Sequence, residues 1–274
     1  MDIKNKMLGW EKVIILFAAF FVVSVVFMIF GQGGGAIYVP MLLAFGLPMY
    51  KAAATSQVLI IAATLSAILV FHKAKMIDWW LSLIVEPPTN LGAFLGGYLS
   101  PHFPPMFSKL AFAGILLIGA YFMIKPIQER QSFSYRQNWF CLYRNIGEYK
   151  YHINLLIIVP IMILAGFIAG MLGVGGGLFK VPALVLLGGV PMKVAVGSSG
   201  LMIGITALTG LFGHALVGHF DPKLGLILGF AVFSGAQAGA RIGVSIDKTR
   251  HKKYFGYLLV FIACWMVYIA FRGR

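Results

Sequence analysis

Charge is what this chain of 274 residues has least of: Asp, Glu, Lys and Arg make up 11% of it, and only eight residues are acidic. A water-soluble domain carries about 25% charged residues. A folded surface this poor in charge excludes water as the main solvent and points to lipid. Cysteine is nearly absent: Cys141 and Cys264 suggest neither a disulfide framework nor a metal site. His72, His214 and His219 fall near helix ends, but no third or fourth ligand converges on them, so they are read as interface residues and no metal is expected. The sequence has no G-x-x-x-x-G-K-[ST], no H-E-x-x-H and no G-x-S-x-G. Those absences argue against ATP-driven pumping and against an intramembrane enzyme; no cofactor is expected.

What the chain has is apolar runs, with 60% of residues hydrophobic. Eight runs approach the ~20 residues that span a bilayer: 11–30, 52–71, 79–99, 107–124, 153–172, 194–217, 223–242 and 254–271. The first lacks a cleavage signature and reads as a retained span. The expectation is an all-α, polytopic transmembrane bundle in the cytoplasmic membrane. The net charge of +14 gathers between runs, at Lys73–Lys75, Lys125–Lys150 and Lys248–Lys253. That is the pattern of cytoplasmic loops, and nucleic acid is not an expected partner.

Two further runs, 36–47 and 178–189, have 12 residues each, about half a bilayer at 1.5 Å per residue. Each follows a glycine cluster. Gly31–Pro40 (GQGGGAIYVP) matches Gly173–Pro182 (GVGGGLFKVP) at six of ten positions. Further along, Pro48-Met49 matches Pro191-Met192, Thr55-Ser56 falls opposite Ser198-Ser199, and Gly92/Gly96 opposite Gly235/Gly239. His72 pairs with His214 and Asp78 with Asp221. The expectation is an internal duplication: repeats at 1–124 and 153–274 around a polar connecting loop at 125–152. Basic loops near the spans favour inverted over parallel repeats.

Glycine at membrane depth breaks a helix and exposes backbone N–H groups that lipid cannot satisfy. The next helix starts with free donors and the positive end of its dipole, which together attract an anion. Gly33, Gly34 and Gly35, with Gly175, Gly176 and Gly177, are therefore candidate substrate contacts. Close helix packing is the other use of glycine, and it suits Gly92/Gly96 and Gly235/Gly239 better.

The two G-x-G-G-G-x-x-x-V-P blocks, the Thr55-Ser56 and Ser198-Ser199 steps, the basic turn at His72–Asp78 and the paired later glycines resemble the TauE/SafE family of anion transporters. The resemblance covers nearly all of the chain outside the connecting loop. It implies transport, often export, of sulfite or of organosulfonates such as sulfoacetate or isethionate. One departure is Glu86-Pro87-Pro88-Thr89-Asn90, more polar than the run usual before those glycines.

Glu86 stands alone as an acidic residue within a span, and such a group is costly in lipid. It reads either as a proton carrier or as a hydrogen-bonded group at the Pro87-Pro88 step. Lys180, in the first turn of the second short helix, either holds a sulfonate oxygen or snorkels to an interface; taken alone, snorkelling is preferred. Tyr38 is its repeat partner. Thr55, Ser56, Gln57, Ser198 and Ser199 offer neutral hydrogen bonds that suit an anion that must also leave. They also suit capping. Asn90 and Gln237 are lone amides that could line the pathway. The expected function is a proton-coupled secondary transporter, whose halves rock around a midplane site and export a small sulfur-containing anion. An uncoupled anion channel, or a transporter of another small carboxylate or metabolite, is the alternative.

Overall fold

The computed structural model describes residues 10–73, 77–125, 140–146, 149–219, 222–245 and 248–272. Lys75, Asp221 and much of the connecting loop, used above for topology and pairing, lie outside the described residues.

The first half holds α1 (Trp10–Ile29), α2 (Gly35–Ala44), α3 (Met49–Lys73), α4 (Trp79–Leu99), a short 3-10 turn (Ser100–His102) and α5 (Pro105–Ile124). The second holds α6 (Leu155–Leu172), α7 (Gly177–Leu186), α8 (Met192–Leu216), α9 (Pro222–Ser245) and α10 (Lys248–Arg272). In both halves the second helix has 10 residues, about 15 Å of rise. Among the described residues six helices are long and apolar enough to cross a membrane, those of α3, α5, α6, α8, α9 and α10. The chain is a multi-pass membrane protein. Of the eight runs expected to span, α1 has a 16-residue apolar stretch, Ile14–Ile29, and α4 is more polar than the six despite its 21 residues. The cause in α4 is its own sequence, since Glu86-Pro87-Pro88-Thr89-Asn90 sits mid-helix.

The expected helical bundle stands, and between its halves the chain adds a short hairpin. Cys141–Ile146 (β1) and Tyr149–Asn154 (β2) pair antiparallel, with Arg144 opposite Tyr151. Alternation decides which face of β2 is covered. Tyr151 and Ile153 are buried against Leu81, Ile158 and Val181, while His152 points out.

Helix packing is set by glycine. A Cβ on Gly92 or Gly96 of α4 would come within 2.0 Å of the Ile163 or Phe167 carbonyl oxygen of α6. Gly166 and Gly170 of α6 meet the Thr89 and Ala93 oxygens of α4 equally closely. The two backbones thus touch from both sides, which brings van der Waals gain where no hydrophobic force acts between helices. Gly235, Gly239 and Gly243 of α9 lie in the same way on the Phe21, Val25 and Ile29 oxygens of α1.

These tight pairs cross between the halves. α1 runs along α9, α4 along α6 and α5 along α10; α3 packs on α8 and α9, and α8 packs on α4. The halves of the sequence are interleaved, so neither half forms a separate lobe.

Candidate functional site

Each short helix begins at a sharp elbow. α1 and α6 end with Gly31 and Gly173 in the left-handed region, φ 70° and 74°. The next residue donates five back in each case, Gln32 N–H to Phe27 O and Val174 N–H to Ala169 O. These bonds close the last turn and stop the helix. Gly33 and Gly34, then Gly175 and Gly176, hold positive φ as well, where a side chain with a Cβ would be strained. The first bonds of α2 and α7 run back to the Gly34 and Gly176 oxygens, so the amides of the residues starting each helix precede its ladder.

The two elbows meet. A Cβ on Gly33 or Gly175 would touch the same pair of side chains, Ile60 of α3 and Ile203 of α8, at 3.0–3.5 Å. Gly35 faces the Val174 oxygen of the other elbow, and Gly177 faces Oε1 of Gln32. The six candidate glycines therefore gather at one place from opposite halves. Tyr38 is fully buried and its ring covers Gly34.

Lys180 does not snorkel. It is fully buried, with its chain over Gly176, and its Nζ donates to Glu86 Oε1 at 2.5 Å, Met202 O at 3.0 Å and Thr206 Oγ1 at 2.5 Å. Thr206 in turn donates to Glu86 Oε2 at 3.0 Å. All three ammonium protons and both carboxylate oxygens are used, which is the condition for a buried pair to persist. The pair joins α4, α7 and α8 one turn beyond the second elbow.

The remaining candidates divide. Ser56 Oγ donates to Gly173 O at 2.7 Å and Gln57 Nε2 to Gly170 O at 2.8 Å, tying α3 to the second elbow and its helix. Thr55 is buried beside them in α3. Ser199 turns back on its own helix, to Val196 O. Ser198 accepts from the Asp78 amide, at the start of α4. Asn90 accepts from Thr209 at 3.3 Å and Gln237 from Ser66 at 2.7 Å, at the α4–α8 and α9–α3 contacts. Neither amide is brought to the elbows by these bonds.

Three features escaped the sequence. Gln32 stood as the variable position of a glycine motif; only its mismatch with Val174 signals it. Asp78 caps α4, accepting from Leu81 N–H, and also accepts from Arg144 at 3.0 Å and from Tyr151 at 2.5 Å. Burial pushes its pKa up, but the bonds from Arg144, Tyr151 and Leu81 outweigh burial and hold the carboxyl below the usual range. The hydrogen bond to Asp78 raises Arg144, and burial, then the bond to Asp78, raises Tyr151. The hairpin is thus clamped to α4 and, through Ser198, to α8. His214, expected at an interface, is buried: Nε2 donates to Gly170 O at 3.0 Å and Nδ1 lies 3.2 Å from Ser100 Oγ.

Elbows that place two helix starts together inside a bundle of spanning helices are a transport architecture, and the comparisons agree. The sequence model described as Sulfite exporter TauE/SafE matches residues 16–266. This chain belongs to the TauE/SafE family. A probable membrane transporter protein, YunE of Bacillus subtilis, is 29% identical over 252 residues, covering 87% of this chain and 91% of its own. A probable membrane transporter protein of Haemophilus influenzae is 29% identical over 263 residues, 94% of each chain. One from Methanocaldococcus jannaschii, MJ0441, is 24% identical over 243 residues, 83% of this chain and 85% of its own. No solved structure matches the chain. The TauE/SafE chain described here is a membrane transporter.

Proposed function

We propose that this TauE/SafE protein is a secondary transporter in the cell membrane that exports a small sulfur-containing anion, sulfite or an organosulfonate, together with protons. The observation that carries the reading is the Lys180–Glu86–Thr206 cluster one turn past the elbow. An anion held by the first amides of α2 and α7 lies on the positive ends of two short helices. From there one of its oxygens can take the place of the Glu86 carboxylate on Lys180. Glu86, displaced from its cation, is then stable only as the neutral acid, so anion and proton move together. Export is the direction carried by the family's name, sulfite exporter.

Alternating access then moves two interleaved units. One is α1, α2, α3 and α9; the other is α6, α7, α8 and α4. Each carries one elbow. Their seam runs between Ile60 and Ile203 and includes the Ser56 and Gln57 bonds to Gly173 and Gly170.

The test is flux of sulfite, sulfoacetate and isethionate in proteoliposomes with an internal pH dye. Saturable flux with a matching proton signal is expected. Flux that never saturates would favour a channel, and no flux from folded protein would move the search to carboxylates and other metabolites.

A further inference from the structure

Gln32 is 4% exposed, and its Oε1 has no donor among the described residues. An acceptor left so destabilises the fold, and a valine, as in the other elbow, would avoid that cost. The side chain is aimed. Gln32 lies between two glycines of positive φ, 70° and 69°. Its Oε1 stands 3.1 Å from the point a Cβ on Gly177 would occupy, at the first residue of the 10-residue helix α7. Of the other buried atoms without a partner among the described residues, Gln57 Oε1 lies against Gly210 of α8, and Tyr38 Oη, which can itself donate, lies over Gly34 at the start of α2.

Two demands meet at this point. The start of α7 offers N–H donors and a positive dipole end, which suit an anionic oxygen. The Gln32 oxygen beside it repels a bare anion and needs a proton to accept. A fully deprotonated, donor-free anion satisfies the first and worsens the second. An anion with a hydroxyl or N–H of its own satisfies both.

Resting on the anion-transport reading above, we propose that Gln32 selects substrates carrying a hydrogen-bond donor: hydroxyalkanesulfonates, aminoalkanesulfonates, or an oxyanion in its singly protonated form. The sulfonate or sulfite oxygens face α7, and the donor faces Gln32. Because Val174 fills the equivalent place in the second elbow, selection is made on one side of the site.

Isethionate and ethanesulfonate differ by one hydroxyl, and their flux in proteoliposomes is the test. A site built to bond a hydroxyl discriminates strongly against an analogue without it. Wild-type protein is expected to favour isethionate by about tenfold or more in kcat/KM. Gln32→Leu, and Gln32→Met as a second apolar variant of similar length, should bring the two anions within about threefold, chiefly by losing isethionate. Equal rates in the wild type would overturn the role of Gln32 and leave the anion reading standing. So would a preference that survives both substitutions. If folded wild-type protein carries neither anion nor sulfite, the anion reading fails and the selectivity of Gln32 fails with it.

Discussion

A lysine and a glutamate held out of solvent contact are worth more by their pairing than by their number. Removing one partner of a buried pair costs about 3–5 kcal/mol, while replacing both by apolar or neutral groups is often neutral. Glu86→Gln strands the Lys180 ammonium and should lower stability by about that amount in thermal unfolding in detergent. The double variant Lys180→Met/Glu86→Gln should unfold near the wild-type temperature and yet carry no anion. Active transport by the double variant would show that the pair only holds helices together. Both residues stood out in the sequence as lone charges within apolar runs, but their meeting did not. They are 94 positions apart, and the repeat offered Tyr38, which has no charge, as the counterpart of Lys180. With no partner in view, snorkelling was the cheaper reading for the lysine. Gln32 was hidden for a related reason: a glycine motif draws the eye to its fixed positions, while the chemistry here sits in the variable one.

Elements in this fold are spaced by what glycine omits. Gly96→Ala would drive a methyl into the Phe167 oxygen at 2.0 Å, so α4 must leave α6, at about 1–3 kcal/mol. Gly114 of α5 has nothing within 4 Å of its would-be Cβ. There Gly114→Ala should raise stability, by about 0.5–1 kcal/mol, because a helical alanine loses less entropy than glycine. Equal effects of the two on thermal unfolding would remove the packing argument. The glycine spacing was legible in advance; the helices it faced were not, because the partner is backbone and leaves no mark on sequence. The hairpin was missed for another reason. Its strands hold polar and basic residues that read as loop, and their anchor, Asp78, lies outside them. That anchor titrates. Its folded carboxyl is held below the usual value, so its contribution is complete above the unfolded value near 4 and is lost as pH falls through the lower, folded one. Wild-type stability should drop on acidification below about pH 4, and Asp78→Asn should lose that part of the dependence. Unfolding curves of the two that stay parallel from neutral pH to pH 3 would leave the clamp without weight.

At the scale of the whole molecule, the sequence suggested two halves that rock against each other, and the packing suggests a different division. α9 belongs to the second half but lies on α1 and α3; α4 belongs to the first but lies on α6 and α8. Glycine-to-carbonyl contacts join α1 to α9 and α4 to α6, so those pairs are poor candidates to slide. The seam of α3 against α6 and α8 has side-chain bonds to break, Ser56 to Gly173 O and Gln57 to Gly170 O, both reaching α6 and its elbow. Two cross-links separate the alternatives. A Cβ on Gly204 of α8 would stand 3.2 Å from Thr64 Cβ of α3, near the separation a disulfide needs. Thr64→Cys/Gly204→Cys should lose transport on oxidation and regain it on reduction, whichever bodies move. Ser66 of α3 and Gln237 of α9 are hydrogen-bonded at 2.7 Å. They lie in different halves of the sequence but inside one proposed unit. A short thiol cross-linker between Ser66→Cys and Gln237→Cys should therefore leave flux within about twofold of the uncross-linked protein if the interleaved units move. Loss of flux on that second cross-link, in protein that remains folded, would return the motion to the two sequence halves. Retention would mean that the helices of the two halves are exchanged between the moving bodies, with one elbow on each side of the seam.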